Sequence, residues 1–312
     1  MAPPSPSPIG VLRGHAAAVN SVAFLEQGGA TYLASGAADG NLKLWDLSIR
    51  RPAASISAHS KAGILCVGMQ GDAVLSHGRD GFLILWDVAN GGVHARQRLA
   101  CGSYTFTKAK ALGAHSILSP LEDAQALGIF DLRADNQAPA LRFNGAALQS
   151  GMCMALDVLP STTATEGDPC ASFEGGLVAR FDVRAPATPI AHHKVAESPL
   201  VCMASTPFGT LLGSPSHDVH RLDWATTEAS VVYKAKSEGI NALASRQDAR
   251  IFASGGRDHM VRIFHNRTCR RLATLKFHTE SVYCVAFAAD NKLLASSGKD
   301  AKIALWSIYP PP

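Results

Sequence analysis

The sequence predicts an all-β chain built from seven copies of one four-stranded sheet unit. Three observations carry that expectation. Four segments align without gaps: ASGAADGNLKLWD at 34–46, LSHGRDGFLILWD at 75–87, ASGGRDHMVRIFH at 253–265 and ASSGKDAKIALWS at 295–307. Each holds an Asp six residues before an aromatic, in the pairs Asp39/Trp45, Asp80/Trp86, Asp258/Phe264 and Asp300/Trp306, and a Ser four residues before that Asp, at Ser35, Ser76, Ser254 and Ser296. Between the copies, short runs alternate apolar and polar residues with period two, and no long amphipathic helix interrupts them.

The elements follow in order. Ile9–Arg13 reads as a strand with no partner near it in sequence. VNSVAF and VYCVAF read as inner strands, YLAS and LLAS as second strands, LKLWDL and IALWSI as third strands. Weaker copies fill the middle, with Phe130 in LGIFDLR, Phe181 in GGLVARFDVR and Trp224 in HDVHRLDW at the anchor position. Leu222 is a rival anchor for that last copy, because the apolar phase fits Trp224 poorly. The seven anchors, 45, 86, 130, 181, 224, 264 and 306, are 40 to 51 residues apart. Four strands per 40–45 residues with a terminal Trp-Asp is the pattern of a WD-repeat propeller. The chain text stops just after a third strand, so pairing Ile9–Arg13 with the last blade is expected to close the ring and remove its sheet edges. Residues 9–309 then form one seven-bladed propeller, preceded by a Pro-rich arm at 1–8. The widest spacing holds Pro160–Asp168, expected to be an inserted surface loop.

Composition excludes other classes. The 312 residues are 47% hydrophobic and 17% charged, with a net charge of +4. The charge is too mild for a dedicated nucleic-acid binder, so no direct nucleic-acid partner is expected. No run of 18 apolar residues and no secretory pattern at the start point to a membrane or export, so a cytoplasmic or nuclear location is expected. Seven Cys without a CxxC pair give neither a disulfide framework nor a zinc site.

The recurring Ser, Asp and His suggest a hydrolase triad only superficially. The pattern repeats once per blade, and no GxSxG elbow is present. We read the set His15, Ser35, Asp39, Trp45; His59, Ser76, Asp80, Trp86; Ser254, Asp258, Phe264; and His278, Ser296, Asp300, Trp306 as blade-internal hydrogen-bond networks that satisfy buried polar groups. Cys66, Cys153, Cys202 and Cys284 fall at equivalent inner-strand places, with Ser21 in the first blade, as a repeated small-residue packing site. No catalytic residue, cofactor or metal is expected.

The residue before each turn Asp faces the rim where propeller loops bind partners. It is Arg79, Arg257 and Lys299 in blades two, six and seven, which ring closure makes neighbours through blade one. These three form a candidate basic arc for an acidic partner surface.

Beyond generic repeats, PIGVLRGHAAAVNSVAF, SGAADGNLKLWDLSIRRP, AHSKAGILCV with LSHGRDGFLILWDV, and the closing blocks GGRDHMVRIF, LATLKFHTESVYCVAF and KDAKIALWSIYP are similar to the ASTRA-associated protein 1 family, also called guanine-nucleotide-binding-protein beta-subunit-like protein 1. The similarity spans the chain and is densest over 8–90 and 250–310. Where that family often carries Trp before the Asp-His-x-Val-Arg run, this chain has Arg257. The resemblance implies a non-catalytic accessory protein of the ASTRA assembly, linked to the TTT co-chaperone, to maturation of phosphatidylinositol-3-kinase-related kinases and to chromatin remodelling. TTT and ASTRA subunits and kinase clients are the partners so implied, with the chain as a monomeric propeller in a larger complex. No partner-contact residue carries over from it. Rival readings are a ubiquitin-ligase substrate receptor and a G-protein-beta-like signalling scaffold. The first predicts a docking box outside the ring. The second predicts a long N-terminal helix ahead of the first strand.

Overall fold

A computed structural model describes residues 6–27, 30–60, 62–89, 92–134, 137–159, 167–236 and 239–308. The described residues form seven four-stranded antiparallel sheets, six of them meanders of consecutive strands, arranged as a seven-bladed propeller. Blade one runs Val19–Gln27, Ala30–Ala37, Asn41–Asp46 and Arg51–Ser57 from the centre outward. Blade two comprises Ile64–Gln70, Ala73–Gly78, Phe82–Ala89 and Gly92–Ala100. Blade three is shorter, with Lys110–Leu112, Ser116–Pro120, Ala126–Asp131 and Leu141–Asn144. Blade four comprises Cys153–Leu159, Asp168–Phe173, Leu177–Asp182 and Ala185–Lys194. Blade five comprises Cys202–Thr206, Gly209–Gly213, Asp218–Leu222 and Ala229–Lys234, and blade six Ile240–Ser245, Ile251–Gly256, Met260–His265 and Arg271–Lys276.

Blade seven takes three strands from the end of the chain, Val282–Phe287, Leu293–Gly298 and Lys302–Ser307. Its outer strand is Gly10–Arg13, which pairs antiparallel with Lys302–Ser307 in the register Gly10 to Leu305 and Arg13 to Lys302. Ile9 adds one bond, its N–H donating to the Leu305 carbonyl at 2.8 Å. Leu12 is buried beneath this seam against Trp45 and Leu305. At the other end of the last blade, buried Arg246 of blade six donates to the carbonyls of Asn291 and Ile308 at 3.3 and 3.4 Å. Both bonds tie the closing blade to its neighbour.

The core lies between blades. Second and third strands are buried on both faces because each sheet is covered by the next; Ala73–Gly78 is buried at every position, Ser76 and His77 included. Fourth strands alternate toward solvent, as in APATPIAHHK of blade four.

The turns between second and third strands repeat one backbone device. The residue after the turn Asp position takes positive φ, at Gly40 (83°), Gly81 (78°), Gly176 (75°), His259 (67°) and Ala301 (58°). Glycine adopts that conformation without strain, whereas His259 and Ala301 carry a Cβ into it. At Gly40 a side chain is also sterically forbidden, since a Cβ there would stand 2.0 Å from the His59 carbonyl oxygen.

Two expectations shift. In blade five the anchor is Leu222, which pairs with Thr210 as Trp45 pairs with Leu33 and Phe264 with Phe252. Trp224 lies two residues beyond the strand, and its indole N–H donates to Thr210 Oγ1 at 2.9 Å. Asp168 belongs to a strand paired with Leu159 rather than to an inserted loop. Residues 160–166 of that expected loop and residues 1–5 of the expected arm lie outside the described residues.

Candidate functional site

The repeated polar residues meet most fully in blades two and seven. In blade two, Trp86 Nε1 donates to Ser76 Oγ at 2.9 Å, Ser76 lies 2.8 Å from His59 Nε2, and His59 Nδ1 lies 2.8 Å from Asp80. Partner chemistry assigns the protons. The carboxylate accepts from Nδ1–H, so Nε2 accepts from the Ser hydroxyl. Blade seven repeats the relay through Trp306, Ser296, His278 and Asp300 at 2.9, 2.8 and 3.0 Å. Burial pulls both imidazoles below the ordinary histidine range, against the opposing pull of their carboxylates. They are neutral at pH 7 and act as hydrogen-bond bridges.

Blade one is incomplete. Trp45 and His15 both reach Ser35 Oγ, at 2.8 and 2.7 Å. Asp39, however, accepts from the backbone and side-chain amides of Asn41, at 3.1 and 2.8 Å. His15 is buried and its pKa is lowered to about 4.

Blade six has no histidine at this place. Buried Arg262 of the third strand instead pairs with Asp258, one of its contacts measuring 3.0 Å. Phe264 stacks on Phe252, and Ser254 Oγ has no hydrogen-bond partner among the described residues. Blade five substitutes a hydroxyl chain, Ser198 to Ser214 at 2.8 Å and Ser214 to Ser216 at 2.6 Å. With Leu222 as anchor, Ser216 holds the turn Asp position.

The same turns set the charge of the upper rim. Arg79, Arg257 and Lys299 are all exposed there. The Arg79 guanidinium lies over the Phe106 ring, 4.7 Å from its centroid, and Lys299 stands 3.4 Å from Glu280. The corresponding turns of blades three and four carry Glu122, Asp123 and Glu174, also exposed. The rim is therefore polarised. The turns of blades two, six and seven carry these three cations, with Glu280 beside Lys299 and Ala38 at the blade-one place; the turns of blades three and four carry carboxylates.

Inside the ring runs a channel of about 490 Å³. One residue of each inner strand faces it at the level paired with the residue after the second-strand Ser position. Those residues are Ser21, Cys66, Ala155, Cys202, Ala242 and Cys284. Cys153 is not equivalent to the other three cysteines. Ala155 stands at this level; Cys153 pairs with Phe173 as Ile64 pairs with Gly78, and it packs between blades. Burial pushes the thiol of Cys66 up to about 11 and that of Cys202 up to about 12, so both stay protonated at neutral pH.

In blade three the register of Lys110 with Leu118 places Lys108 at the same level. Its Nζ donates to the carbonyls of Asn20 and Tyr283, each at 3.4 Å, on the inner strands of blades one and seven. One level down, Lys110 stands 3.4 Å from Asp157, whose carboxylate holds the ammonium above its ordinary range. Asp157 also accepts from the Ser205 backbone N–H at 2.6 Å. The sequence reading missed these three. Their signal was the alternation Lys108-Ala109-Lys110 at the start of a weak inner strand. The loop leading into it, 101–109, exposes Tyr104 and Phe106 beside Arg79.

Among the described residues no group of three His, Cys, Asp or Glu side chains could hold a metal ion, and no helix is long and apolar enough to cross a membrane.

Comparison with known proteins agrees with this architecture. The family model "WD domain, G-beta repeat" matches residues 6–46, 228–265 and 269–307. "Guanine nucleotide-binding protein subunit beta-like protein 1" of Mus musculus is 31% identical, with 99% of this chain and 98% of that protein covered. "ASTRA-associated protein 1" of Verticillium alfalfae is 25% identical over 98% of this chain and 94% of its own length. The protein of the same name from Schizosaccharomyces pombe is 23% identical over 97% and 99%. The repeats, the closed ring and a match along the whole chain lead to one conclusion: the chain belongs to the WD-repeat family of guanine nucleotide-binding protein subunit beta-like protein 1 and ASTRA-associated protein 1.

Proposed function

We propose that this chain is a non-catalytic accessory subunit of an ASTRA- and TTT-linked assembly, supporting maturation of phosphatidylinositol-3-kinase-related kinases and chromatin remodelling. The observation that carries the reading is the end-to-end match to relatives whose printed name is "ASTRA-associated protein 1". The fold suits the role. A rigid ring holds loops on two faces and can seat several proteins at once. The neutral, fully engaged histidines favour a structural use of the polar networks over acid–base chemistry. The working place is the cytoplasm, the nucleus or both.

Within this reading, Arg79, Arg257 and Lys299 present the basic arc to an acidic partner surface. Charge of this kind steers association and sets orientation more than it sets affinity. Affinity purification of the tagged chain from cells, followed by mass spectrometry, tests both levels. TTT subunits and the kinases are the expected companions; their absence overturns the assignment. The triple variant Arg79→Glu, Arg257→Glu, Lys299→Glu is expected to lose partners at unchanged thermal stability, and unchanged capture overturns the arc.

A further inference from the structure

We propose that Lys108 is the anchor point for a carboxylate side chain of an extended acidic segment, which crosses the basic arc and inserts that side chain into the top of the channel. The proposal rests on the reading of the arc as an acid-binding face and names where its ligand ends.

Among the described residues Lys108 is the one cation in its layer of the channel. The other six blades contribute small side chains there, Ser, Ala or Cys, which leave the space around the ammonium open. One layer below, Lys110 is already matched by Asp157. Lys108 forms no ion pair among the described residues. Its contacts are two carbonyl oxygens at 3.4 Å, long for N–H···O bonds, and an ammonium has three donors. Those carbonyls nonetheless hold it across the opening, on the side of blades one and seven. That is the side over which Arg257, Lys299 and Arg79 stand.

A carboxylate arriving over the basic arc meets a pre-placed donor in a partly dry setting, where a charge-assisted bond is stronger than at the open surface. Exposed Phe106, with Arg79 on its face, lines the channel and supplies an aromatic contact typical of interface centres. Glu122, Asp123 and Glu174 on the opposite arc repel the same segment, which fixes its direction of approach.

The test uses the full chain and a fluorescein-labelled, amidated peptide of about twelve residues, alternating Glu and Ser around one Phe. Its analogue with Gln for every Glu is the control. Fluorescence anisotropy is expected to show binding of the Glu peptide alone. Lys108→Gln is expected to weaken it about tenfold, the scale of one lost charge-assisted hydrogen bond. Lys108→Arg retains the charge and is expected to bind within about twofold of the wild type, which separates lost binding from lost folding. If Lys108→Gln binds like the wild type while the arc reversal does not, the channel anchor is overturned and the arc stands. If the wild type binds neither peptide, or binds both equally, the anchor and the arc both fall. Binding of inorganic pyrophosphate in place of the peptide, abolished by Lys108→Gln, overturns the peptide and makes the channel a small-anion site.

Discussion

Asp39 faces away from His15. Its carboxylate is held by the Asn41 amides, while His15 Nδ1 is buried with no hydrogen-bond partner among the described residues. The cause is one side chain. Blades two, six and seven place Phe82, Met260 and Lys302 where blade one has Asn41, and the short amide captures the carboxylate locally.

The three histidine blades should therefore differ in what their Asp contributes. Asp80→Ala or Asp300→Ala leaves a buried imidazole N–H unpaired and is expected to cost about 2–3 kcal/mol. Asp39→Ala removes only a turn interaction and is expected to cost about 1 kcal/mol. Urea unfolding of the three variants at neutral pH reads the difference directly. Equal costs would show that the relay contributes nothing beyond the turn.

Acid should weaken the fold through its buried histidines. Burial lowers His15 to about 4 and His77 to about 3, from 6.5. The native state therefore binds fewer protons than the unfolded chain between these values, and stability falls as pH falls from about 6.5 toward them. At pH 5 each is expected to have removed about 2 kcal/mol. His77→Asn should flatten the dependence of unfolding free energy on pH between 7 and 5, whatever its cost at pH 7. An unchanged slope would contradict the neutral, buried state of His77.

The two strained turns invite a gain. Ala301 adopts φ 58° where blades one, two and four use glycine. Ala301→Gly is expected to stabilise the chain by about 1 kcal/mol, since relief of the left-handed strain outweighs the added freedom of the unfolded chain. Differential scanning calorimetry should show a higher midpoint. A lower one would show that the turn pays no penalty for its Cβ.

The ring was legible because its signals are local and repeated. A Ser, an Asp and an aromatic recur at fixed offsets in four blades, as Ser76, Asp80 and Trp86 do in blade two, and Ile9–Arg13 had no other strand to join. Blade five misled because Trp224 looks like the anchor, yet strand register is set by alternation, and only Leu222 keeps the apolar phase. Cys153 misled for a related reason. It stands at the place of Ile64 and Val282, two residues ahead of the channel-facing level, and the likeness of GMCMA to ILCVG hides that strand register. Arg262 was hidden because it replaces the missing histidine from another strand. Lys108 was invisible because its role depends on the carbonyls of Asn20 and Tyr283, which no spacing along the chain connects to it.

The seam between Gly10–Arg13 and Lys302–Ser307 also sets an order of events at the ribosome. Leu305 emerges about 295 residues after its partner Gly10. Throughout synthesis the first strand has an unpaired edge, and six blades can assemble in turn without it. The last blade cannot be completed until Leu305 has emerged. Such a long-range closure is slow and leaves an adhesive edge exposed meanwhile. A newborn chain of this design depends on being shielded until these two strands meet.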